Sequence, residues 1–586
     1  MKKENSGISR RSFLKGAAAT AAGAAAFSAM NMPVLADEEA AASDEAMTAE
    51  KWMNTKWSFE IPPEPIDPSL IDREYTADII VVGAGIAGLC TAVKAKEDGA
   101  DVIVFSAGHG PTGRGGSNHA AGSKKLDALG LDWGPEQEAK EIKVEQIAGT
   151  YLMDKKKWAR WINNSRESVD WMIDKMESQG LKTCVEFGYN DVDDILTVPP
   201  ASHNFYTDQM PFGSLFGAPM QANAYAAIFR DEMGGQLDFE MVAQQLVRED
   251  NNTGRVSAVI ALDKDGKYVK YNANKAVVLA TGDFSRNRDM MAKYAPWVYN
   301  EYKDFLNFDE VDYDAGLIYT GLMPGDGQKM GLWVGAAWQK TFPTAPMINS
   351  GVPGPALFND ITNFLGINLD STGHRFQNEA TNFGFGAFSL LQLPDQMAFG
   401  IWDADYAKAQ DSWDSFGCCV SYENGIQPQT SEQVLERWKG SYTMADTLDE
   451  LLDQLGFEGE AKEAALKSIE DYNKYAEQGL DEEFHKNPKL LQTIKTPPFF
   501  GSKTVKNSNA MVFLTMCGGL RTNEKMQVCD AEDKPIEGLY NTGIMTGDFY
   551  ANSYNFAIYG QNLGGTCCTL SYLLGKDLAE LCKAEA

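Results

Sequence analysis

The sequence is short of basic residues and of metal-binding groupings. Its 586 residues include 52 Lys and Arg against 82 Asp and Glu, for a formal net charge of −30. A field of that sign repels phosphate backbones and anionic lipid, so nucleic acid is not expected as a partner. The five histidines form no H-x-x-E-H or other paired-ligand pattern, so we expect no structural metal.

The cysteines lack the spacings of metal-containing redox cofactors. There is no C-x-x-C, no C-x-x-C-H and no ferredoxin-like run, so neither an iron–sulfur cluster nor a c-type haem is encoded. Any redox cofactor is therefore expected to be organic. The nine cysteines are residues 90, 184, 418, 419, 517, 529, 567, 568 and 582, and their two adjacent pairs would make only strained disulfides.

A long apolar run is also missing, and the nearest approach to one lies at the N-terminus. The Ala-rich segment 16–30 is too short and too weakly hydrophobic to anchor in a bilayer, so we expect no stable transmembrane segment. It follows Ser9-Arg10-Arg11-Ser12-Phe13-Leu14-Lys15, which is typical of a twin-arginine export signal. Cleavage after Val34-Leu35-Ala36 would remove a signal peptide of residues 1–36 and take the net charge from −30 to −34. The mature protein is predicted to be periplasmic or otherwise extracytoplasmic.

A Gly-rich turn lies between two short apolar runs near the start of the mature chain. Ala77–Val82 and Asp101–Phe105 resemble buried strands, and Leu89–Glu97 has a helical pattern. The turn Gly83-Ala84-Gly85-Ile86-Ala87-Gly88 is a G-x-G-x-x-G in the strand, turn, helix, strand context that gives this motif its meaning. It predicts a dinucleotide site with a pyrophosphate at the helix N-terminus.

Each glycine of this turn has its own expected role. Gly83 makes the tight turn, Gly85 lets the backbone approach the pyrophosphate, and Gly88 lets helix and strand pack closely. The acidic residue that normally ends the second strand and binds a ribose hydroxyl is Ser106 here. We therefore expect that contact to be weaker, or to come from Asp101 or elsewhere.

Three further motifs follow in order: Ala280-Thr281-Gly282 after an apolar strand, Gly325-Asp326-Gly327 at a helix start, and Gly538-Leu539-Tyr540 near the C-terminus. With the first turn they resemble the FAD-dependent fumarate reductase and succinate dehydrogenase flavoprotein family. That family also includes urocanate reductase, L-aspartate oxidase and 3-ketosteroid dehydrogenases. The resemblance covers roughly residues 76–580, and the combination is specific although each motif alone is weak.

The resemblance implies an α/β fold, in which a Rossmann-like FAD-binding domain with a parallel sheet is interrupted by an α+β capping domain. The interruption normally follows a His-Pro-Thr strand, which corresponds here to Phe342-Pro343-Thr344. After a disordered-to-extended lead-in at 37–75, we expect the FAD-binding domain at 76–344 and 513–586 and the cap at 345–512.

The resemblance also implies which residues contact FAD. The family's covalent histidine aligns with Gly116, so we expect non-covalent FAD although His119 lies nearby. The last three residues of the set are expected to present backbone N–H groups to the flavin pyrimidine edge. The expected contacts are Gly83, Gly85, Ile86, Ala87, Gly88, Ser106, Gly115, Gly116, Ser117, Ala121, Gly122, Ala280, Thr281, Gly282, Asp326, Asp548, Gly564, Gly565 and Thr566.

The chain departs from the family where fumarate reductases bind and protonate a dicarboxylate. Burying a dicarboxylate in a desolvated pocket without cationic partners would cost several kcal/mol of binding free energy, so fumarate is a poor substrate candidate. By ungapped local alignment, the positions of the family's histidines and arginines hold Phe342, Phe383, Thr515 and Asn562.

Aromatic residues occupy the same regions and suit a larger, flatter substrate. A tyrosine hydroxyl can polarise an enone oxygen or protonate the carbon opposite the hydride. For each ring singly, packing of the cap against the FAD-binding domain is an equally good explanation. The candidate catalytic residues are Tyr554, Tyr559, Tyr550, Phe383 and Asn562.

The sequence therefore predicts an exported FAD enzyme that transfers hydride from flavin N5 to an activated C=C bond of an enoate or enone. Its substrate is a small alkene-containing molecule, and its electrons come from a separate cytochrome c or membrane quinol oxidoreductase. Three alternatives remain: a dehydrogenase running in reverse, a non-catalytic electron-relay subunit, and an oxidase that uses oxygen.

Overall fold

Strands from distant parts of the chain assemble into one central sheet and several smaller ones. The computed structural model describes residues 49–131, 133–186, 200–210, 217–304, 308, 311–314, 323–343, 347–348, 364–379, 389–409, 422–423, 429–505, 512–513, 515–551, 554, 558 and 560–584. The strands are β1 Ile71–Val82, β2 Val102–Phe105, β3 Asn118–His119, β4 Lys182–Val185, β5 Ser202–Tyr206, β6 Gln236–Asp238, β7 Met241–Arg248, β8 Val256–Asp263, β9 Tyr268–Leu279, β10 Met347–Ile348, β11 Ile367–Asp370, β12 Met397–Asp403, β13 Thr443–Ala445, β14 Phe499–Val505, β15 Val512–Phe513, β16 Gln527–Cys529 and β17 Pro535–Asn541.

The central sheet has eight strands and a parallel core. Its main path runs β16-β17-β9-β1-β2-β6, and β8 and β7 join it through β9. The five strands β17, β9, β1, β2 and β6 are parallel, while β16, β8 and β7 pair antiparallel. The end of β1 is apolar on both sides because both faces of the sheet are covered: Ile79 and Val81 face one core cluster, and Ile80 and Val82 face another.

Helices cover the first of these faces. Ile86–Glu97 follows β1 directly and packs against the C-terminal helix Leu570–Ala584. The α-helices are Ala49–Asn54, Ile86–Glu97, Lys124–Ala128, Pro135–Ala148, Lys155–Ser178, Gly217–Ala227, Glu249–Asn252, Arg288–Tyr294, Pro296–Tyr302, Asp326–Trp333, Ser431–Lys439, Leu448–Leu455, Gly459–Gln478 and Leu570–Ala584, and π-helical turns lie at Ile228–Glu232 and Asn562–Thr569.

Regular structure begins earlier than the sequence pattern predicts. The lead-in at 37–75 was expected to be disordered to extended, yet its described part contains the helix Ala49–Asn54 and the first residues of β1. Trp57 and Phe59 are buried in an apolar cluster, and Trp333 Nε1 donates to Phe59 O at 2.8 Å. The aromatic residues that precede the proline-rich stretch therefore bind this segment to the body of the protein.

A second, antiparallel sheet lies within the range expected for the cap. It has the order β11-β12-β14-β13, and helices Leu448–Leu455 and Gly459–Gln478 contribute to its apolar cluster. The short strands β10 and β15 pair antiparallel, so the chain segments near the two expected domain boundaries, 344/345 and 512/513, run side by side. The boundaries themselves stay a prediction.

Candidate functional site

The Gly-rich turn after β1 leaves no room for side chains at two of its glycines. Gly83 has φ +114°, a conformation that favours glycine, and a Cβ there would lie 2.3 Å from Ala280 O. A Cβ on Gly88 would lie 2.1 Å from Gly83 O and 3.2 Å from the Cβ of Ala280. The first helix therefore packs directly against the turn and against the segment that follows β9.

Gly85 differs, because a Cβ there would meet only Thr112, at 3.8 Å from its carbonyl oxygen. Gly85 caps the helix Ile86–Glu97, and no side chain accepts from the first backbone N–H groups of that helix. Ile86 and Ala87, at its first turn, are buried. An open, uncapped helix N-terminus at the carboxyl end of a parallel strand fits a pyrophosphate.

The expected ribose contact is not supplied by Asp101, which corrects one of the alternatives. Asp101 precedes β2 and accepts from Ile79 N at 3.0 Å, at the sheet edge opposite the Gly-rich turn. Ser106 follows β2 at the correct edge, and its N–H donates to Asp238 O at 2.9 Å. Strand direction therefore excludes Asp101, because the carboxyl ends of parallel strands share one edge.

The loop expected beside the isoalloxazine is held in place by buried polar contacts. Ser117 Oγ donates to Glu186 Oε1 at 2.9 Å, and Asn204 Nδ2 donates to the same oxygen at 2.8 Å. Burial raises the pKa of Glu186 to about 8, although both hydrogen bonds lower it. A Cβ on Gly116 would lie 2.7 Å from the Asn204 amide, and Gly115 O accepts from Ala218 N at 3.0 Å.

The end of this loop turns toward the protein interior. Ala121 is buried, and its N–H already donates to Ser165 Oγ at 2.9 Å. A Cβ on Gly122 would lie 2.9 Å from Arg166 Nη2. These two residues therefore pack the loop, and the N–H of Ala121 is engaged within the protein.

The His119 imidazole is buried and has partners inside the protein. Its Nε2 lies 2.6 Å from Glu141 Oε1, and both side chains are almost fully buried. Its ring packs near Trp133 and Trp161 at centroid distances of 5.9 and 6.0 Å. The imidazole thus belongs to the interior between the loop and the helices.

The segment after β9 joins the first turn to the helix Asp326–Trp333. Ala280 N donates to Val82 O at 2.9 Å, and Thr281 Oγ1 accepts from Gly327 N at 3.1 Å. Gly282 O accepts from Gln328 Nε2 at 2.9 Å. Asp326, at the helix start, accepts from Tyr313 OH at 2.8 Å.

The C-terminal glycines are closely packed within the protein. Gly564 N donates to Gly560 O at 2.9 Å. A Cβ on Gly564 would lie 1.9 Å from His119 O, and one on Gly565 would lie 3.1 Å from the Phe549 ring. Gly564 therefore lets the π-helical turn lie against β3, and the expected contacts of both glycines with the flavin stay predictions.

Thr566 and Asp548 likewise have partners inside the protein. Thr566 Oγ1 donates to Asn562 O and to Asn562 Oδ1, at 2.8 and 3.0 Å. The Asp548 carboxylate accepts from the backbone N–H groups of Lys340 and Thr341 and from the Thr341 hydroxyl at 2.8–3.1 Å. If the Thr566 hydroxyl or the Asp548 carboxylate also contacts a cofactor, it does so in addition to these internal hydrogen bonds.

Two of the candidate catalytic tyrosines lie together. Tyr550 and Tyr554 are buried, and their ring centroids are 4.6 Å apart. Burial raises the pKa of both hydroxyls well above the ordinary range, so both are neutral donors at neutral pH. Phe383 and Tyr559 lie outside the described residues, and their roles stay predictions.

The described positions that align with the family's cations hold no charge. Phe342 is 69% exposed. Thr515 is buried, and its hydroxyl donates to Asp283 Oδ2 at 2.7 Å. Asn562 uses its amide oxygen to accept from Thr566 at 3.0 Å.

Sequence reasoning missed the role of Asp283, although it directly follows the Ala-Thr-Gly motif. Its carboxylate accepts from Ser285 Oγ, Thr515 Oγ1, Met516 N and Met323 N at 2.6–3.1 Å. The charge of Asp283 also acts on Arg114 in the Gly-rich loop, where burial lowers the pKa of the guanidinium. One buried carboxylate therefore joins the two expected parts of the FAD-binding domain.

The fold and these turns define a flavoprotein, and the comparisons with known proteins agree. A family model described as FAD binding domain matches residues 78–555, and the chain belongs to this family. A model of the twin-arginine translocation pathway signal sequence matches residues 7–27. The protein is exported by the twin-arginine route to an extracytoplasmic space. Within the described residues no helix is long and apolar enough to cross a membrane.

Curated relatives are distant but cover most of the chain. The chain is 24% identical to a vinyl phenol reductase of Lactiplantibacillus plantarum over 85% of its length and 95% of that protein. It is 24% identical to a digoxin reductase of Eggerthella lenta, covering 94% and 93%. A probable fumarate reductase of Shewanella frigidimarina is 25% identical, covering 86% and 74%.

A solved structure shares the fold. The 3-ketosteroid-Δ4-(5α)-dehydrogenase of Rhodococcus jostii RHA1 superposes with a TM-score of 0.62 at 22% identity, covering 88% of this chain and 99% of that one. The fold is thus an α/β FAD-binding fold with a capping domain. The family match identifies the protein as an FAD-dependent flavoenzyme, and the relatives above are named as reductases.

Proposed function

We propose that the protein is a reductase that transfers hydride from FAD to the activated C=C bond of an aromatic or steroid-like enoate or enone, rather than to fumarate. One observation carries this proposal: three described positions that align with the family's cationic clamp hold Phe342, Thr515 and Asn562. The Thr515 hydroxyl is committed to the carboxylate of Asp283. A dicarboxylate would meet no cation at these positions, and burying an unpaired carboxylate costs several kcal/mol.

The aromatic loop supports a flat, apolar substrate. Tyr550 and Tyr554 form a buried pair beside Phe549, whose ring stacks on Trp158 at a centroid distance of 4.7 Å. Rings packed in this way present apolar faces and a few hydroxyl groups. The vinyl phenol and digoxin reductases are named for substrates that are not dicarboxylates, which agrees with this choice; the fumarate reductase relative is named for a dicarboxylate.

The residues divide the chemistry between binding and proton transfer. When bound, FAD supplies the hydride from its N5 atom. The uncapped helix at Gly85 would hold its pyrophosphate, and the Ser117 loop would contribute to the site of its ring. Tyr554, supported by Tyr550, donates a proton to the carbon that does not receive the hydride, since a positioned general acid accelerates such a step by about 10²–10⁴-fold.

Two further features belong to this proposal. The flavin is held non-covalently, because Gly116 occupies the attachment position and the His119 imidazole is engaged with Glu141. The electrons come from a separate cytochrome c or membrane quinol oxidoreductase, since the sequence encodes no haem or cluster motif.

Non-covalent binding of the flavin is tested by denaturation in acid, which should release all of the flavin into the supernatant. Flavin retained on the precipitated chain would contradict non-covalent binding.

The proposal is tested by anaerobic reoxidation. The purified flavoprotein is reduced fully and mixed with 4-vinylphenol, 4-hydroxycinnamate, a steroid enone or fumarate while the flavin absorbance is followed. We expect at least one aromatic or steroid-like alkene to restore the oxidised spectrum in a single turnover, with the saturated product formed in equal amount. Reoxidation by fumarate alone would overturn the proposal. Reoxidation by none of them would favour the relay alternative.

A further inference from the structure

The helix Pro135–Ala148 carries two buried carboxyl groups one turn apart, Glu141 and Glu145. Glu141 is paired with His119 at 2.6 Å. Glu145 is only 3% exposed, and its Oε1 has no hydrogen-bond partner among the described residues. Buried polar atoms are nearly always hydrogen-bonded, so an exception of this kind calls for a functional explanation.

The Glu145 carboxyl lies beside the loop that carries the candidate proton donors. A Cβ placed on Gly149 would lie 3.7 Å from Glu145 Oε1 and 3.5 Å from Ala551 O, so both groups border one small space. Tyr550 precedes Ala551, and its buried hydroxyl also has no partner among the described residues. The Tyr550 hydroxyl of the tyrosine pair and Glu145 Oε1 on the neighbouring helix therefore both lack a hydrogen-bond partner among the described residues.

Among the described residues, no charged group acts on the Glu145 carboxyl group. Burial is the sole cause that acts on Glu145, and it raises the pKa of this carboxyl well above its ordinary value. Burial therefore favours the protonated form of the Glu145 carboxyl group.

The other titratable groups near the two tyrosines are also uncharged. The thiols of Cys517 and Cys567 act on both tyrosines, and burial raises the pKa of each thiol. The Glu145 carboxyl acts on both tyrosines as well. Of these groups, Glu145 is the only carboxyl group, and a carboxyl group is intrinsically a stronger acid than a thiol or a phenol.

We propose that Glu145 is a relay residue that resupplies the proton given up by the Tyr550–Tyr554 pair. This inference rests on the proposed function and names the proton source of the same site. Reduced FAD, when bound, would supply the hydride to the alkene, and a tyrosine hydroxyl would supply the proton. The tyrosinate then takes the Glu145 proton, and the carboxylate is reprotonated from water. The separate respiratory donor restores the electron pair to the flavin.

The test compares Glu145→Gln with Glu141→Gln, a matched control on the same helix. An alkene that reoxidises the wild type is used, and the rate constant for flavin reoxidation is measured from pH 5.5 to 9. We expect Glu145→Gln to slow reoxidation about 100-fold at pH 7 and to abolish the fall in rate that the wild type shows at high pH. Its KM and flavin content should match the wild type, and Glu141→Gln should keep the wild-type pH profile.

A conservative variant separates proton transfer from packing. Glu145→Asp retains a carboxyl group, and its rate constant for flavin reoxidation should be at least tenfold higher than that of Glu145→Gln. If Glu145→Gln does not fold, the wild-type and Glu145→Asp pH profiles still decide, since the relay requires both rates to fall at high pH. A Glu145→Gln enzyme with wild-type rates and profile would overturn the relay alone. A wild type that reacts with no alkene would overturn the relay together with the proposed function.

Discussion

At the scale of single residues, Gly85 and Gly88 are three positions apart in one turn but are required for different reasons. The protein itself occupies the space beside Gly88, since a Cβ there would lie 2.1 Å from Gly83 O. Gly85 faces open space, because its nearest neighbour is Thr112 O at 3.8 Å. We therefore expect Gly88 to matter for folding and Gly85 for the approach of the ligand.

Gly88→Ala should lower the thermal midpoint of the apoprotein markedly and abolish FAD binding, because a backbone oxygen cannot yield to the new methyl group. Gly85→Ala should keep the midpoint of the apoprotein and weaken FAD binding at least tenfold. Differential scanning calorimetry and flavin titration check the two effects. Equal losses of stability in both variants would contradict the distinction.

Glu186 gives the site a pH-dependent stability. Its pKa in the folded protein is about 8, above the ordinary 4.5, because burial disfavours the carboxylate. The protonated form is therefore favoured by folding, and the wild type should lose stability as the pH rises from about 4.5 to 8. Glu186→Gln lacks this titration, so its stability relative to the wild type should rise over that window and level off above it.

Urea unfolding at pH 5, 7 and 9 measures this difference. The exposed Glu460→Gln variant serves as a control for the loss of one carboxyl group. A difference between Glu186→Gln and the wild type that stays constant from pH 5 to pH 9 would show that Glu186 is ionised in the folded protein.

At the scale of elements, the cap is held together by a buried ion cluster. Arg375 pairs with both oxygens of Glu379 at 2.8 and 3.0 Å and with Asp481 at 3.0 and 3.1 Å. Burial acts against the charge on Asp481, but the Arg375 guanidinium outweighs it and lowers the pKa of Asp481 to about 2. Lys486 lies 3.5 Å from Glu379 in the same cluster.

Arg375→Met should destabilise the protein by about 3–5 kcal/mol, because it leaves buried carboxylates without a partner. The exposed pair Arg230–Asp231 offers a control, and Arg230→Met should leave the stability of the protein nearly unchanged. Chemical unfolding curves measure both. A stable Arg375→Met enzyme that fails to reduce substrate would instead give Arg375 a role in the reaction.

The elements were predicted well where the signal is local. The strand, turn, helix and strand around Gly83–Gly88 follow from residue spacing, since the glycines and the apolar runs lie within about thirty residues. The packing of Gly564 against His119 could not be predicted in this way, because His119 lies more than four hundred positions away in the chain. Asp101 was considered because sequence spacing alone does not state at which edge of a sheet a residue lies.

At the scale of the whole molecule, the parallel sheet needs strands from both ends of the chain. β1 and β9 come from the first expected part of the FAD-binding domain and β17 from the second, so the central sheet is complete only after residue 541 has been made. The order of the motifs along the chain predicted that both ends contribute to the sheet. The unpartnered Glu145 oxygen and the hydrogen bonds that converge on Asp283 depend on tertiary packing, which no local pattern encodes.

The leader makes a prediction of its own at this scale. Replacing Arg10 and Arg11 with Lys should leave the precursor inside the cell, since the paired arginines are the recognised feature of the signal. The retained precursor should still carry FAD because every expected cofactor contact lies after residue 76. Fractionation with flavin fluorescence checks both statements, and export of the double variant at the wild-type level would contradict them.

The central claim is that the site does not clamp a dicarboxylate, and one matched pair of oxidants tests it most directly. Reduced enzyme is mixed anaerobically with fumarate or with dimethyl fumarate, and the rate constant of flavin reoxidation is measured for each. The rate constant for the ester is divided by that for fumarate. This ratio is then divided by the same ratio measured with free reduced flavin, which gives the intrinsic reactivity of the two oxidants. The account predicts that the enzyme favours the ester by about 100-fold beyond that intrinsic ratio, which corresponds to about 2.8 kcal/mol at 1.4 kcal/mol per factor of ten. A corrected ratio at or below one would show that a cationic clamp is present and would contradict the account.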